Sequence, residues 1–362
     1  MKVTFCWTVI SGYIAACWRE LAARPGIDLR IIAAAPQGNA PYSREITAGL
    51  PIDLVPYDSL TNPGAIADAV VAQKPDVVVV SGWAVPAHRA LTRAPALADA
   101  RFVMTMDTPY RRLLRQHVGR FRHTPFFRRV SRAVVAGERS WQLARVLGFP
   151  ESRIRRALYA IDFQSFASAM DARVARGVWP RRWLYIGRYV DDKAIDTLVE
   201  GYRRYRASVT DPWPLTTCGT GPLAHLLKDQ PGIEDRGFVQ PAELPAVLAD
   251  AGAFVIASRF EPWGQVIVEA AAAGLPLVCS ESCGAAPEMV RSYYNGQLFP
   301  TDDPAALARA LAWLHTRAGS APDEALAMAR RSQRFAEPYS AQMWADRWVD
   351  LLGEVMDEPI PR

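Results

Sequence analysis

Two glutamates, Glu261 and Glu269, stand eight positions apart in the segment 258–270, Ser-Arg-Phe-Glu-Pro-Trp-Gly-Gln-Val-Ile-Val-Glu-Ala. The apolar run at 253–257 predicts a buried strand before it, and the alanine-rich pattern at 266–273 predicts a helix after it. The segment therefore reads as strand, tight turn and helix, with one carboxylate on the turn and the other in the first helical turns. Gly264 falls at the helix start, where backbone N–H groups lack intrahelical partners and can hold an anion. Glu269 lies about a turn and a half further on, where a carboxylate can bind a pair of vicinal hydroxyls. One site of this kind could grip a phosphate and a sugar diol together, and a nucleotide-sugar offers both groups.

The segment resembles the E-x7-E motif of family 4 retaining glycosyltransferases, which share the two-domain GT-B fold. Further signatures follow in the same order as in that family: Gly187-Arg188 with Lys193, Gly219-Thr-Gly-Pro222, Gly237-Phe-Val239, Gly274-Leu-Pro276 and Asn295-Gly296. Each is weak alone, and the ordered set is strong. The likeness extends over most of the chain and is densest over 183–310. It implies that Arg188 and Lys193 clasp a donor diphosphate and that Glu261 sits by the transferred sugar. It also implies that Gly264, Gln265 and Val266 offer backbone amides to the phosphates, that Glu269 holds the ribose, and that Gly219, Phe238 and Val239 border the nucleotide. On the first domain, Gly12 in the loop after the first strand would allow close approach to the phosphates.

Departure of a nucleoside diphosphate leaves growing negative charge, which a metal or fixed cations must neutralise. No D-x-D metal motif stands out, and the pairs Asp191-Asp192 and Asp302-Asp303 read as turn or cap residues. Fixed cations are the expectation, with no metal and no cofactor. The chain uses 38 arginines and only four lysines (2, 74, 193 and 228), so a lysine at the phosphate position is a pointed choice. Ala194 follows it where relatives carry glycine. Many relatives also carry a His-Asp pair after the strand predicted at 102–105; here Met106 precedes Asp107, so no histidine role can be transferred. Asp107 remains as a polar group for donor or acceptor. A front-face retaining displacement, in which the leaving phosphate takes the acceptor's proton, needs no separate base. None of the five histidines, at 88, 117, 123, 225 and 315, is placed to supply one.

These side chains must be held by strands and helices. Apolar runs at 3–6, 29–33, 77–80, 102–105 and 133–136 predict one parallel sheet, and those at 184–186, 215–217, 253–257 and 277–279 a second. Helical patterns between them predict an α/β protein of two Rossmann-like doubly wound domains, facing each other across a cleft as the resemblance implies. The expected division is an acceptor domain at 1–162, a nucleotide-sugar donor domain at 163–340, and a helix at 341–362 crossing back to the first. Trp344, Trp348, Leu351, Leu352 and Val355 have the spacing of that helix.

Composition agrees with two soluble, well-cored domains: 362 residues, 50% apolar and 22% charged, with no apolar run of membrane-spanning length. The five cysteines (6, 17, 218, 279 and 283) lack zinc-knuckle spacing and read as reduced core thiols in the cytoplasm. Ile14-Ala-Ala-Cys17 resembles a lipoprotein cleavage box, but Trp7, Thr8, Ser11 and Gly12 interrupt the apolar region, so a core segment is expected rather than an export signal.

Residues 1–165 hold 22 Lys+Arg against 12 Asp+Glu, a net +10, while 166–362 hold 20 against 25, a net −5. Eight arginines and no acid fall between Tyr110 and Arg132, with Leu114, Val118 and Phe121 at helical spacing. Two readings are open: a basic amphipathic helix for an anionic membrane or a lipid-linked acceptor, or a helix packed on its own domain with a solvated arginine face. Nucleic acid is not expected, because no recognition motif accompanies the patch.

The expected function is transfer of a hexosyl-type group from a UDP- or GDP-sugar to a glycan or lipid-linked acceptor, in surface glycan or glycolipid biosynthesis. The expected location is cytoplasmic, with peripheral attachment at the inner face of the membrane as an option. The rivals are a catalytically inactive nucleotide-sugar-binding protein and another GT-B enzyme, such as a sugar-nucleotide epimerase.

Overall fold

The computed structural model describes residues 1–35, 44–320 and 322–361. The chain divides into two units, Met1–Ile161 with Ser340–Arg362, and Asp162–Tyr339.

The first unit holds a seven-stranded sheet of β1 (Lys2–Trp7), β2 (Asp28–Ala34), β3 (Ile52–Val55), β4 (Val77–Ser81), β5 (Arg101–Met106), β6 (Val130–Val135) and β7 (Ile154–Arg156). Its order is β3-β2-β1-β4-β5-β6-β7, and every pairing is parallel. The second unit holds β8 (Trp183–Ile186), β9 (Leu215–Cys218), β10 (Ile233–Asp235), β11 (Ala253–Ile256), β12 (Leu277–Ser280) and β13 (Gly296–Phe299), ordered β10-β9-β8-β11-β12-β13 and again parallel.

Parallel strands need crossovers, and helices on the sheet faces leave the inner strands apolar on both sides. That is why all four residues of Val77–Val80 are fully buried. Each sheet reverses its winding once, between β1 and β4 and between β8 and β11. In such sheets the loops at the carboxyl ends diverge at the reversal and open a crevice for ligands.

The strands that composition did not announce are β3, β7, β10 and β13, and all four lie at sheet edges. Edge strands are short, and β3, β7 and β10 are partly solvated, so their sequences lack the apolar signature of the inner ones; β13 is largely buried, but Gly-Gln-Leu-Phe is too short and mixed a run to stand out. Asn295-Gly296 is a case in point. Gly296 opens β13, where a Cβ would lie 1.9 Å from the Leu277 carbonyl oxygen. The buried Asn295 amide donates to Met289 O at 2.8 Å and Ser332 Oγ at 3.1 Å. The pair is a structural junction.

The helix Ala341–Asp357 packs on the helix Gly12–Ala22 of the first unit. Trp344 and Trp348 donate their indole N–H groups to Leu158 O (3.1 Å) and Ala157 O (2.8 Å), and Trp348 packs 5.0 Å from the Phe5 ring. Gly12 corrects one expectation: it is the first helical residue, with Ser11 as N-cap, rather than part of an open loop.

The arginine-rich segment holds the helix Leu114–Arg122. A helix packed by its hydrophobes onto its own domain is not what forms. Leu114, Val118 and Phe121 are 78%, 51% and 76% exposed, whereas Gln116 and Gly119 are buried. Trp83 sets this orientation, since a Cβ on Gly119 would lie 2.7 Å from its ring. All five cysteines are free and buried.

Candidate functional site

The crevice residues of the second unit come from the four loops that follow β8, β9, β10 and β11. After β8 the chain places exposed Arg188, then turns through 191–193 to Lys193. Tyr185, buried in β8, donates its hydroxyl to the Arg188 carbonyl at 3.2 Å, and burial raises that phenol well above its usual pKa. Ala194 takes the left-handed conformation, φ 51°, which explains the preference for glycine there. It also caps the helix Ile195–Ser208.

The loops after β8 and β11 are tied together. The backbone N–H groups of Arg259 and Phe260 donate to Asp192 O at 2.8 and 3.0 Å. The Arg259 guanidinium meets Asp191 at 3.2 Å, Asp196 at 2.6 Å and Asp302 at 2.7 Å. The Asp pairs expected to be mere turn or cap residues thus divide: Asp191 and Asp302 serve this clamp, and Asp303 caps the next helix through Ala306 N at 2.8 Å. Across the clamped loops, Lys193 Nζ forms an ion pair with Glu261 Oε2, both side chains almost out of solvent.

Gly264 is the N-cap of the helix Gln265–Ala272, with φ 93°. A Cβ there would lie 2.9 Å from Glu261 Cγ, so glycine lets the backbone close in on the Glu261 turn. Gln265 and Val266 form the first helical turn, and the Gln265 amide oxygen accepts from Trp263 Nε1 at 3.1 Å. The main chain of the Glu261 turn is pinned by the next loop, because Gly284 N donates to Glu261 O at 2.9 Å and Ala285 N to Trp263 O at 2.7 Å. At the far end of the helix the buried Arg173 guanidinium donates to Ala273 O (2.9 Å), Gly274 O (3.2 Å), Leu248 O (2.6 Å) and Ala251 O (2.8 Å). Its charge complements the negative end of that helix. Burial lowers its pKa to about 10, which leaves it cationic at neutral pH. Nothing in the sequence singles out Arg173 among 38 arginines.

Glu269 projects from the same helix and retains some exposure, yet the protein around its carboxyl pushes its pKa up to about 7. The loop after β9 holds Gly219, whose amide donates to Gly237 O at 2.8 Å. A Cβ on Gly219 would lie 1.9 Å from the Gly187 carbonyl oxygen, so the β8 and β9 loops touch backbone to backbone. Gly237 leads to exposed Phe238 and half-buried Val239, and its N–H donates to Asp235 Oδ1 at 3.0 Å, which also accepts from the Tyr189 hydroxyl at 2.6 Å.

Gly12 and Asp107 belong to the first unit. Asp107 follows β5 and accepts from the Tyr159 hydroxyl at 3.0 Å. Burial raises its pKa, partly offset by that bond, while Tyr13 stacks edge-on to Tyr159 at 5.3 Å. Met106 is a core residue of β5. Tyr159 opens the segment Tyr159-Ala-Ile-Asp162 at the expected domain boundary, and its contact with Asp107, 52 positions away, has no local signature. Among the described residues no cluster of His, Cys, Asp and Glu forms a metal site.

Two Rossmann-like parallel-sheet units, with the loops at the carboxyl ends of the second carrying these groups, define the GT-B fold class. Solved structures agree on the fold: Anabaena HepE, in complex with UDP, aligns with TM-score 0.76 at 16% identity, covering 98% of this chain and 100% of that one. A pneumococcal O-GlcNAc transferase, GtfA, in complex with UDP and GlcNAc, aligns with TM-score 0.71 at 12% identity over 99% of both chains.

Residues 180–317 match the family model "Glycosyl transferases group 1". A curated relative, D-inositol 3-phosphate glycosyltransferase of Salinispora tropica, is 30% identical over 224 residues, 55% of this chain and 45% of the relative. The chain thus aligns with about half the length of that relative.

Proposed function

We propose that the protein is a retaining, metal-independent glycosyltransferase of family 4 type. It moves a hexosyl group from a UDP- or GDP-sugar to an acceptor hydroxyl on a lipid-linked or growing surface glycan. The observation that carries this reading is the pairing of Lys193 with Glu261 beside the Gly264 helix start, at the winding reversal of the second sheet.

In this reading Lys193 and Arg188 take the donor diphosphate, joined by the amides of Gly264, Gln265 and Val266. Glu269 accepts from the ribose hydroxyls, Gly219, Phe238 and Val239 border the base, and Glu261 turns to the sugar. The bond from the anomeric carbon to the phosphate oxygen breaks, and the acceptor oxygen bonds the same face of that carbon. The acceptor proton passes to the leaving phosphate oxygen, and the positive charge of Lys193 and Arg188 stabilises the departing diphosphate. Gly12 and Asp107 with Tyr159 serve the donor and acceptor from the first unit. The protein attaches peripherally to the inner face of the membrane through the arginine-rich segment 111–132.

The core position of Met106, where a histidine would stand, favours a second reading, a nucleotide-sugar-binding protein without turnover. A thermal-shift screen of UDP, GDP, ADP and TDP, followed by hydrolysis of a sugar-nucleotide panel, separates the two. Stabilisation together with sugar release supports the transferase. Stabilisation without release on any acceptor supports the binding protein, and no stabilisation by any nucleotide removes both.

A further inference from the structure

The helix Leu114–Arg122 is fixed with its apolar side outward. Gln116 holds its base, with its amide donating to Pro109 O at 2.8 Å and accepting from Arg111 N at 2.9 Å. Gly119 seats the middle on Trp83. Leu114, Val118 and Phe121 then form one exposed stripe at i, i+4 and i+7. Solvent-facing large hydrophobes on a locked helix are the arrangement of an element that meets an apolar phase.

The charges around the stripe state which phase. No acidic residue occurs between Asp107 and Glu138. Two of the arginines are structural: Arg129 donates to Leu97 O, Ala98 O and Ala100 O, and Arg132 pairs with Glu358 at 2.6 Å. Where the helix ends, Arg120, Arg128 and Arg153 line a cavity of ≈ 240 Å³ together with Phe127, Leu147 and Phe149, and among the described residues no acidic side chain lines it. Arg153 is held in place by Ser131 O at 2.9 Å and by Val130 O. Thr124, which also lines the cavity, donates its Oγ1 to Arg120 O at 2.8 Å and Phe121 O at 3.1 Å and so fixes the turn where the helix ends.

We infer that this cavity binds the phosphate of an anionic phospholipid while the Leu114–Val118–Phe121 stripe enters the membrane interface. The inference rests on the membrane reading of residues 111–132 and deepens it from a diffuse charge to a defined headgroup site. Arginines suit the task, because the guanidinium fork matches phosphate geometry. The apolar stripe adds the buried area that charge alone does not supply.

The test is co-sedimentation of the full chain with vesicles of phosphatidylcholine alone or mixed with phosphatidylglycerol. Wild type is expected to partition onto the mixed vesicles. The exposed triple variant L114S/V118S/F121S and the cavity variant R120Q/R128Q should each bind about tenfold more weakly. Thermal stabilisation by UDP-glucose, read on the second unit, should be unchanged in both. If the wild type binds mixed vesicles and R120Q/R128Q binds them equally, the headgroup site is overturned while the membrane reading stands. Should L114S/V118S/F121S bind as wild type, the inserted stripe is overturned. If the wild type ignores the mixed vesicles, or prefers an acidic polypeptide or RNA to them, both the inference and the membrane reading fall.

Discussion

Lys193 and Glu261 pair with each other across two loops of the second sheet's crevice, both nearly sealed from solvent. A ligand diphosphate would compete with Glu261 for the lysine, so the two substitutions should act in opposite directions. Lys193→Ala is expected to weaken UDP-sugar binding by about 1.5–3 kcal/mol, the loss of charge-assisted contacts, and Arg188→Ala by a similar amount. Glu261→Gln is expected to leave UDP binding as tight or tighter while abolishing transfer. Calorimetry on the three variants decides it; equal losses in Glu261→Gln and Lys193→Ala would rule out the competition.

The proposed contact of Glu269 with the ribose predicts a pH signature. Its carboxyl ordinarily titrates near 4.5 and is pushed up to about 7 by burial. The folded state therefore holds this proton more tightly than the unfolded chain, and the group's contribution to stability is present below about 4.5 and lost as pH rises through about 7. Ligand binding has the opposite sign, since ribose hydroxyls donate best to the ionised carboxylate. UDP-glucose, which does not titrate in this range, is expected to bind more tightly as pH rises from 6 to 8, with Glu269→Gln weaker and flat. Microscale binding across that range is the check, and a wild-type profile without slope would contradict a ribose role.

Arg259 is a positioning residue. It draws Asp191, Asp196 and Asp302 onto one guanidinium, and hydrogen bonding to it lowers the Asp196 pKa. Its loss leaves three carboxylates facing one another beside the Lys193 loop. Because these acids are half-exposed or more, Arg259→Leu should cost only about 1–2 kcal/mol of stability. Donor affinity should fall further than stability, with kcat less affected than KM. A variant with wild-type KM would show the clamp to be irrelevant to the site.

Arg173 predicts a stability effect without a chemical one. Arg173→Met would leave four buried carbonyls without their donor, a cost of roughly 2–4 kcal/mol. Chemical denaturation should show that loss, while UDP-sugar affinity at low temperature stays within about threefold. A neutral Arg173→Met would mean that the carbonyls find other partners.

The nine inner strands were legible because burial on both faces demands runs such as Val77–Val80 and Ala253–Ile256. The four edge strands were not: β3, β7 and β10 are partly solvated, which imposes no such demand, and β13, though buried, carries Gly296 and Gln297 in a run of only four residues. Residues close in sequence around Gly264 and Glu269 could be placed on their helix from periodicity alone. The partners of Arg173, Arg259 and Tyr159 were not legible, because each works on groups tens of residues away.

The amphipathic spacing of Leu114, Val118 and Phe121 was visible in sequence, but its direction was not. A helical period states that one face differs from the other without saying which meets the protein. The contact between Gly119 and Trp83, 36 positions apart, sets that direction. Local order follows from chain chemistry, whereas which loops meet and which face is turned outward depend on packing between distant segments.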